Sequence, residues 1–359
     1  MTTNGSPFIN EAVLQALVEK ALVDFGATWN AGLIIVGDRV GLYEALDASD
    51  APLTSVELAA RTATAERYVR EWLRAQAAGG YITYHPETDG YSMTPEQASL
   101  MAHEDSPVFM AGGFHAAVGA LRAVPKLIDA FRSGDGIGWH EHDPALFEGT
   151  ERFYRASYLH HLTTDWIPAL DGVEAKLHAG GRVADVGCGH GASTIIMAQA
   201  YPDASFVGYD YHEESIVAAR ERAQAGGVAD RVRFETASAK TFNGAGYDLI
   251  TTFDAFHDLG DPAGAASHIR DMLTPEGTWM LVEPRAGDRV EDNLNPLGRV
   301  FYAASTMVCT GCSLDQEVGA ALGAQAGEAR LHRVITGSGF TRFRRATETP
   351  FHFVLEARI

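Results

Sequence analysis

Residues 183–191 read Val-Ala-Asp-Val-Gly-Cys-Gly-His-Gly, an apolar run that closes on three glycines spaced G-x-G-x-G. Helix-like spacing follows from Ala192 to Tyr201. Glycine gives such a turn its tightness and lets backbone N–H groups approach a ligand closely. A strand–turn–helix of this kind suits a nucleotide-type cofactor at the carboxyl edge of a parallel sheet. NAD sites use a similar turn, so its meaning rests on the residues around it.

Downstream, strand-like and helix-like segments alternate. Arg182–Val186, Ser205–Tyr209, Val232–Glu235, Tyr247–Phe253 and Thr278–Val282 are the strand candidates. This alternation predicts a doubly wound α/β sheet. The second strand ends at Asp210, where a carboxylate can accept hydrogen bonds from both hydroxyls of a ribose. Tyr211 follows, placed to pack against a purine, and the third strand brings a loop with Ser238 toward the same base. Asp254-Ala-Phe-His257-Asp258 and Glu283-Pro284 fall at further strand ends on one rim. Residues 295–325 read as an inserted helical stretch. Thr341–Ala346 and His352–Ala357 are a closing strand pair.

Upstream the texture differs. Val13, Leu14, Leu17, Ala21 and Leu22, then Leu33–Val36 and Val40–Leu46, give helical spacing over roughly the first 45 residues. A short helix follows Thr54 or Ser55, and a second runs from Ala65 to Ala78 with Val69, Trp72, Leu73 and Ala77 on one face. Gly79-Gly80 stops it. Tyr81–Tyr84 and Tyr91–Met93 flank a turn at Pro86–Gly90. Helix, turn, helix, hairpin is the winged-helix pattern. Residues 105–175 are expected to be mainly helical, with a glycine-rich break at Gly134–Gly138. The expected division is therefore 1–105 as a helical winged-helix domain, 106–175 as a helical linker, and 176–359 as the Rossmann-like domain.

The chain has 359 residues, with 28 Lys+Arg against 47 Asp+Glu, a formal net charge of −19. A surface that acidic repels phosphate backbones and argues against nucleic acid as the main partner. The candidate recognition helix carries Glu66 and Glu71 among Arg67, Arg70 and Arg74, so it is only slightly basic. The start, MTTNGSPFINEAV, shows neither a basic n-region nor an apolar h-region, and no run is long enough to cross a bilayer. A cytoplasmic location is expected. Three cysteines make no disulfide framework. Cys309-Thr-Gly-Cys312 has no second pair, and His140, His142, His160 and His161 lack the carboxylate spacing of a metal site. No metal is expected.

From about residue 180 onward the chain resembles the class I S-adenosylmethionine-dependent methyltransferases. The resemblance lies in Asp185-Val-Gly187-Cys-Gly189-His-Gly191, Asp210, the fourth strand ending at Asp254, and the Leu273-Thr-Pro275-Glu-Gly277 turn. With a winged helix ahead, the whole is similar to bacterial small-molecule O-methyltransferases. The resemblance implies a seven-stranded sheet and S-adenosyl-L-methionine as cofactor. It implies that Asp185, Gly187, Cys188, Gly189 and Gly191 contact the methionine end and that Asp210 holds the ribose. Tyr211, Ser238, Asp254 and Ala255 would complete the cofactor site, Ser238 where many members carry an adenine-binding aspartate.

It further implies a catalytic group of His257, Asp258 and Glu283, in which His257 takes the proton of an acceptor hydroxyl and Glu283 orients the imidazole. The acceptor would be a small, partly apolar or aromatic molecule. Phe114, His115, Trp139, Tyr154 and Tyr158, with Phe301, Tyr302 and Met307 of the insertion, are the candidate acceptor contacts. The N-terminal helices would support a homodimer. Two alternatives stand beside this reading: methylation at nitrogen or carbon, and a winged-helix regulator that binds DNA and senses the cofactor or a hydrophobic ligand.

Overall fold

A computed structural model describes residues 9–359. The chain forms two compact units, one ending at His115 and one spanning Ala116–Ile359. Among the described residues, no helix is long and apolar enough to cross a membrane.

The N-terminal unit opens with a helix, Glu11–Arg39, capped by the Asn10 side chain, which accepts from the Val13 nitrogen at 3.2 Å. Leu42–Asp47, Ser55–Thr62 and Glu66–Ala78 follow. The helix at Ser55 starts with a reciprocal capping box between Thr54 and Glu57, as the Ser/Thr-x-x-Glu spacing predicts. Strands β1 (Thr83–His85) and β2 (Gly90–Ser92) pair antiparallel as the wing. Trp72 and Tyr43 lock the unit, because each buried ring finds a polar partner. Trp72 donates to the Leu33 carbonyl and Tyr43 to Gln76 Oε1, both at 2.8 Å.

The C-terminal unit is built on seven strands. These are β3 (Arg182–Val186), β4 (Ser205–Asp210), β5 (Val232–Thr236), β6 (Tyr247–Phe253), β7 (Leu273–Pro284), β8 (Arg342–Glu348) and β9 (His352–Arg358). Their order is β5-β4-β3-β6-β7-β9-β8. The first five are parallel, and β9 pairs antiparallel with both β7 and β8. The chain therefore winds outward from β3 in both directions, and the order reverses between β3 and β6. The carboxyl ends of those strands form the crevice in which ligands of open α/β sheets bind.

Both faces of the sheet are covered, so its central strands are apolar almost throughout. Alternate residues divide between two cores. Val183, Leu249, Met280 and Val354 join one, and their neighbours Ala184, Ile250, Leu281 and Leu355 join the other. The Leu273–Gly277 segment differs from the expected turn. It is drawn into β7, Leu273 pairs with Tyr247, and the register shifts between Tyr247 and Leu249 as a bulge.

Helices Ala111–Leu121, Val124–Ser133 and Pro144–His161 fill the middle segment. The glycine break between them is pinned to the insertion. Ile137 donates to the Gly311 carbonyl at 3.0 Å. A Cβ at Gly136 would lie 2.0 Å from the Asp315 nitrogen, so only glycine fits there. The insertion itself is helical at Pro296–Ala304 and Thr310–Asp315, joined by a wider turn at Ser305–Cys309.

Candidate active site

Gly187, Gly189 and Gly191 all have positive φ, at 77°, 50° and 81°. At Gly191 an added Cβ would also meet the Phe234 ring at 2.6 Å, and at Gly187 it would meet Ala255 Cβ at 2.7 Å. The backbone thus lies against its neighbours as no larger residue would allow, and the helix Ala192–Ala200 starts from the turn. Gly187 and Cys188 donate to the Tyr209 carbonyl at 2.8 and 3.0 Å, and Gly189 donates to Asp210 Oδ2 at 2.9 Å. The other Asp210 oxygen accepts from the His212 nitrogen at 2.9 Å.

A single cavity wall carries the turn residues Gly187, Cys188 and Gly189, then Asp210 and Tyr211, and Asp254, Ala255 and Asp258. Trp139, Tyr154 and Tyr158 line it from the middle helices. Most of the sequence-derived candidates therefore share one space. The others lie outside its lining. Asp185 is completely buried, and its carboxylate accepts from Ser193 Oγ at 2.7 Å, Thr194 Oγ1 at 2.6 Å and Thr251 Oγ1 at 2.9 Å. With its oxygens spent on three hydroxyls, it holds the turn from behind and does not face the cavity, contrary to the contact expected of it. Gly191 likewise shapes the turn from its far end. Ser238 bonds Thr241 at 2.8 Å, while its neighbours Ala237 and Ala239 line the wall.

His115 belongs to the N-terminal unit, where it is buried and hydrogen-bonded to Asp38 at 2.7 Å; this hydrogen bond stands where an acceptor contact was expected. Phe114 meets Tyr81 edge-on in the same unit. Tyr302 lies on the insertion, away from the lining, as do Phe301 and Met307.

His257 also lies outside the lining. It is buried, with Nδ1 2.7 Å from Glu283 Oε2 and Nε2 3.2 Å from Asp258 Oδ1. Glu283, also outside the lining, accepts the Phe256 nitrogen with its other oxygen at 3.1 Å. Asp258, not the imidazole, reaches the cavity. The Cys309 thiol joins the cluster, its sulfur and the donor atoms of His257 and Asp258 lying within 4.8 Å of one another. Burial alone would depress the His257 pKa, but the Glu283 and Asp258 carboxylates outweigh it and hold the group well above its ordinary value. Burial raises both Glu283 and Asp258, and it pushes the Cys309 thiol up to about 12. The cluster thus centres on an imidazole set between two carboxylates that favour its protonated form, with the Cys309 thiol beside it.

Residues not singled out in the sequence complete the wall. His190 sits inside the glycine turn, and burial, with Arg222 and His212 nearby, lowers its pKa to about 4, so it is a neutral donor–acceptor there. Glu151 lines the cavity with its charge met by Arg155 at 3.1 Å and Arg222 at 2.9 Å. Phe147 and Gln316 add an apolar and a polar side. His190 was legible as part of the motif; the others arrive by packing between distant segments.

Comparison with known proteins agrees with this geometry. Residues 177–335 match the family model described as "Methyltransferase domain", and residues 29–103 match "Rv2258c-like winged HTH domain". A 27-O-demethylrifamycin SV methyltransferase of Amycolatopsis mediterranei is 32% identical over 125 residues, covering 34% of this chain and 45% of that one. A ubiquinone biosynthesis O-methyltransferase of Psychrobacter arcticus is 27% identical over 180 residues, covering 46% and 65%. These matches span less than two thirds of the relatives' own length.

Whole-chain fold similarity extends to mitomycin 7-O-methyltransferase MmcR, with a TM-score of 0.69 at 21% identity over 98% of this chain and 100% of that one. It extends also to human N-acetylserotonin methyltransferase in complex with S-adenosylmethionine, with a TM-score of 0.70 at 16% identity over 100% and 99%. The C-terminal unit is therefore a Rossmann-like methyltransferase domain, of the class that uses S-adenosyl-L-methionine. Residues 29–103 and 177–335 thus pair a winged helix-turn-helix domain with a methyltransferase domain behind it.

The residues present fit that cofactor. The cradle at Gly187 and Gly191 is one a Cβ would fill, and Asp210 offers an anionic wall beside it. Burial raises the Asp210 pKa, against the His212 and Gly189 N–H groups that pull it down. The ionised form is the one that accepts ribose hydroxyls, so acidification through this raised pKa weakens binding. Calorimetry with S-adenosylhomocysteine should show affinity falling at higher pH than an ordinary aspartate would give. Asp210→Asn should cost roughly 10- to 100-fold at neutral pH, the worth of about 1.5–3 kcal/mol for charged hydrogen bonds, and should flatten the acid limb. Unchanged affinity in that variant would remove Asp210 from the site.

Proposed function

We propose that the protein is an enzyme that transfers a methyl group to a hydroxyl oxygen of a small, partly apolar or aromatic acceptor. The observation that carries this reading is the buried Glu283–His257–Asp258 array, which ends at the cavity wall beside the glycine turn. S-adenosylmethionine supplies, when bound, an electrophilic methyl group on sulfur. The task left to the chain is to align the acceptor oxygen, exclude water and receive one proton.

In our reading the acceptor hydroxyl donates to Asp258. With S-adenosylmethionine bound, its methyl group would be the one delivered to the acceptor oxygen, and Asp258 would receive the hydroxyl proton. His257 lies behind it, its positive charge held by Glu283, and offsets the burial of Asp258 so that the carboxylate is ionised and ready to receive the proton. The imidazole thus acts through Asp258 and not by direct contact. Tyr154 and Tyr158 stack with ring centroids 6.4 Å apart, and burial keeps both phenols neutral. With Trp139, Phe147 and Phe253 they give the wall a flat, apolar character suited to an aromatic acceptor. The relatives named for O-methylation of rifamycin and ubiquinone precursors support oxygen over nitrogen or carbon.

A positioned proton acceptor contributes roughly 10²- to 10⁴-fold to rate. Asp258→Asn and His257→Ala should each lose turnover on a phenolic acceptor by about that range while S-adenosylhomocysteine affinity stays within a few-fold. Near-wild-type turnover in both would sink the assignment.

The winged-helix match favours a second reading, a DNA-binding regulator. Against it, Arg67 and Arg74 pair with Glu71 and Arg70 pairs with Glu66 on the candidate recognition helix, at 2.7, 3.4 and 2.8 Å. Its cations are largely spent within the helix. Gel shifts at physiological salt against the gene's own upstream region should show no specific retention; a salt-resistant complex would favour the regulator.

We further propose a homodimer formed through the first helix. Val13, Leu14, Leu17, Val18, Leu22, Val23, Phe25 and Trp29 are all exposed on it. An apolar surface this long is rarely left to solvent, and a second copy carries the same complementary surface. Sedimentation equilibrium should give twice the chain mass, and Leu17→Glu with Val18→Glu should return it to the monomer. A wild-type monomer at micromolar concentration would refute the dimer.

A further inference from the structure

The Cys309 thiol has no task in methyl transfer, yet it is buried against two groups that do. Its sulfur, a His257 ring nitrogen and an Asp258 carboxylate oxygen all lie within 4.8 Å of one another. These atoms come together without satisfying each other. Asp258 Oδ1 is buried 3.2 Å from His257 Nε2 but makes no hydrogen bond. The contact of the thiol with the Ala304 carbonyl is long, at 3.8 Å. A buried carboxylate oxygen without a partner is costly unless a ligand meets it. An acceptor hydroxyl answers for the carboxylate alone. A cation among the three atoms answers for the oxygen, the ring nitrogen and the thiol together.

The groups behind the imidazole are those a metal-bound histidine requires. Nδ1 lies 2.7 Å from Glu283 Oε2, and the other Glu283 oxygen accepts from the Phe256 nitrogen at 3.1 Å. With an Nδ1–H held on a carboxylate that is itself fixed, Nε2 presents its lone pair. Cys309 closes the wider turn Ser305–Cys309, and such widened turns within helices are frequent at functional sites. Asp258 and Cys312 line the cavity, so an ion can enter from there and take a water as its fourth ligand. Spacing along the chain gives no sign of this set, since Cys309 arrives from the insertion.

The donors select the ion. A thiolate with an imidazole suits zinc-class cations, whereas magnesium and calcium take oxygen ligands. Charge agrees with this choice. A divalent ion displaces one proton from the thiol and one from Nε2, so the buried cluster keeps its net charge.

We propose that His257 Nε2, Asp258 Oδ1 and Cys309 Sγ form a binding site for one zinc-class divalent cation, and that filling it stops methyl transfer. The site stands on its three donors. The stop rests on the methyl-transfer reading above, because an ion on Asp258 keeps that carboxylate from receiving a proton.

The test uses the full-length protein, stripped with a chelator, and zinc or cobalt ions alone. Zinc competed against a chromophoric chelator should bind, and magnesium should not displace it. Cobalt should bring the near-ultraviolet absorption of a thiolate-bound ion. Cys309→Ser and Cys309→Ala should lose that absorption, and Cys312→Ser should keep it. Glu283→Gln should weaken zinc binding by roughly 10- to 100-fold, the usual worth of a group that orients a ligating histidine. Turnover on a phenolic acceptor should fall as zinc fills the wild-type site and return on adding chelator. Wild-type protein without the thiolate absorption, or absorption that survives in both Cys309 variants, would overturn the site. Full turnover by zinc-saturated protein would overturn the stop. Protein that binds the ion but transfers no methyl group even when stripped of metal would overturn the methyl-transfer reading, and the stop with it, and leave the site standing.

Discussion

The C-terminal unit depends on one buried carboxylate. Asp185 accepts three hydroxyl hydrogen bonds, from Ser193 and Thr194 at the start of the helix after the turn and from Thr251 on β6. It therefore ties β3 to the next helix and to the strand across the switch point. Desolvation raises its pKa while the three hydroxyls pull the other way, so the site tolerates a buried acid only because every donor is in place. The positive-φ glycines can then hold their N–H groups toward Tyr209 and Asp210. The cradle, the ribose carboxylate and the crevice beside β6 all take their positions from this junction.

Much of this was written locally in the chain. The glycine turn, Asp210 and the strand alternation are legible because each depends on neighbours in sequence: a tight turn, a strand end, a period of two. The winged-helix elements were legible for the same reason, through the Thr54–Glu57 cap and the glycines after Ala78. What escaped was set by register and by long-range pairing. His352 reaches Asp254 because antiparallel β9 places it opposite Pro284, at the end of β7 that borders β6. Its number says nothing about that contact. Cys309 reaches His257 through the fold of the insertion. His115 looked like a pocket residue by its chemistry, but Asp38, far away in sequence, claims it.

The roles of Asp185 and His257 show the same limit from another side. Motif position identified both, yet position on a strand end does not say which way a group faces. Asp185 turns into the interior because three hydroxyls are there to meet it. His257 is drawn behind Asp258 by the Glu283 carboxylate, since a buried imidazolium is stable only between anions. The residue next in sequence thereby becomes the one at the wall. Chemistry at this site is shared across a chain of buried groups and is not the property of one side chain.

The pinning of the glycine break to the insertion has a consequence for how such a pocket changes over time. Trp139 follows the break, Cys312 and Gln316 come from the insertion, and the contact of Gly136 with Asp315 leaves no room for either segment to shift alone. A lineage that recruits this scaffold for a different acceptor must alter both segments in step. A lone enlargement in one would push against the other before it reshaped the pocket. New specificities should therefore arise as paired changes, and intermediates carrying only one of them would be the poorly folded steps that selection has to cross.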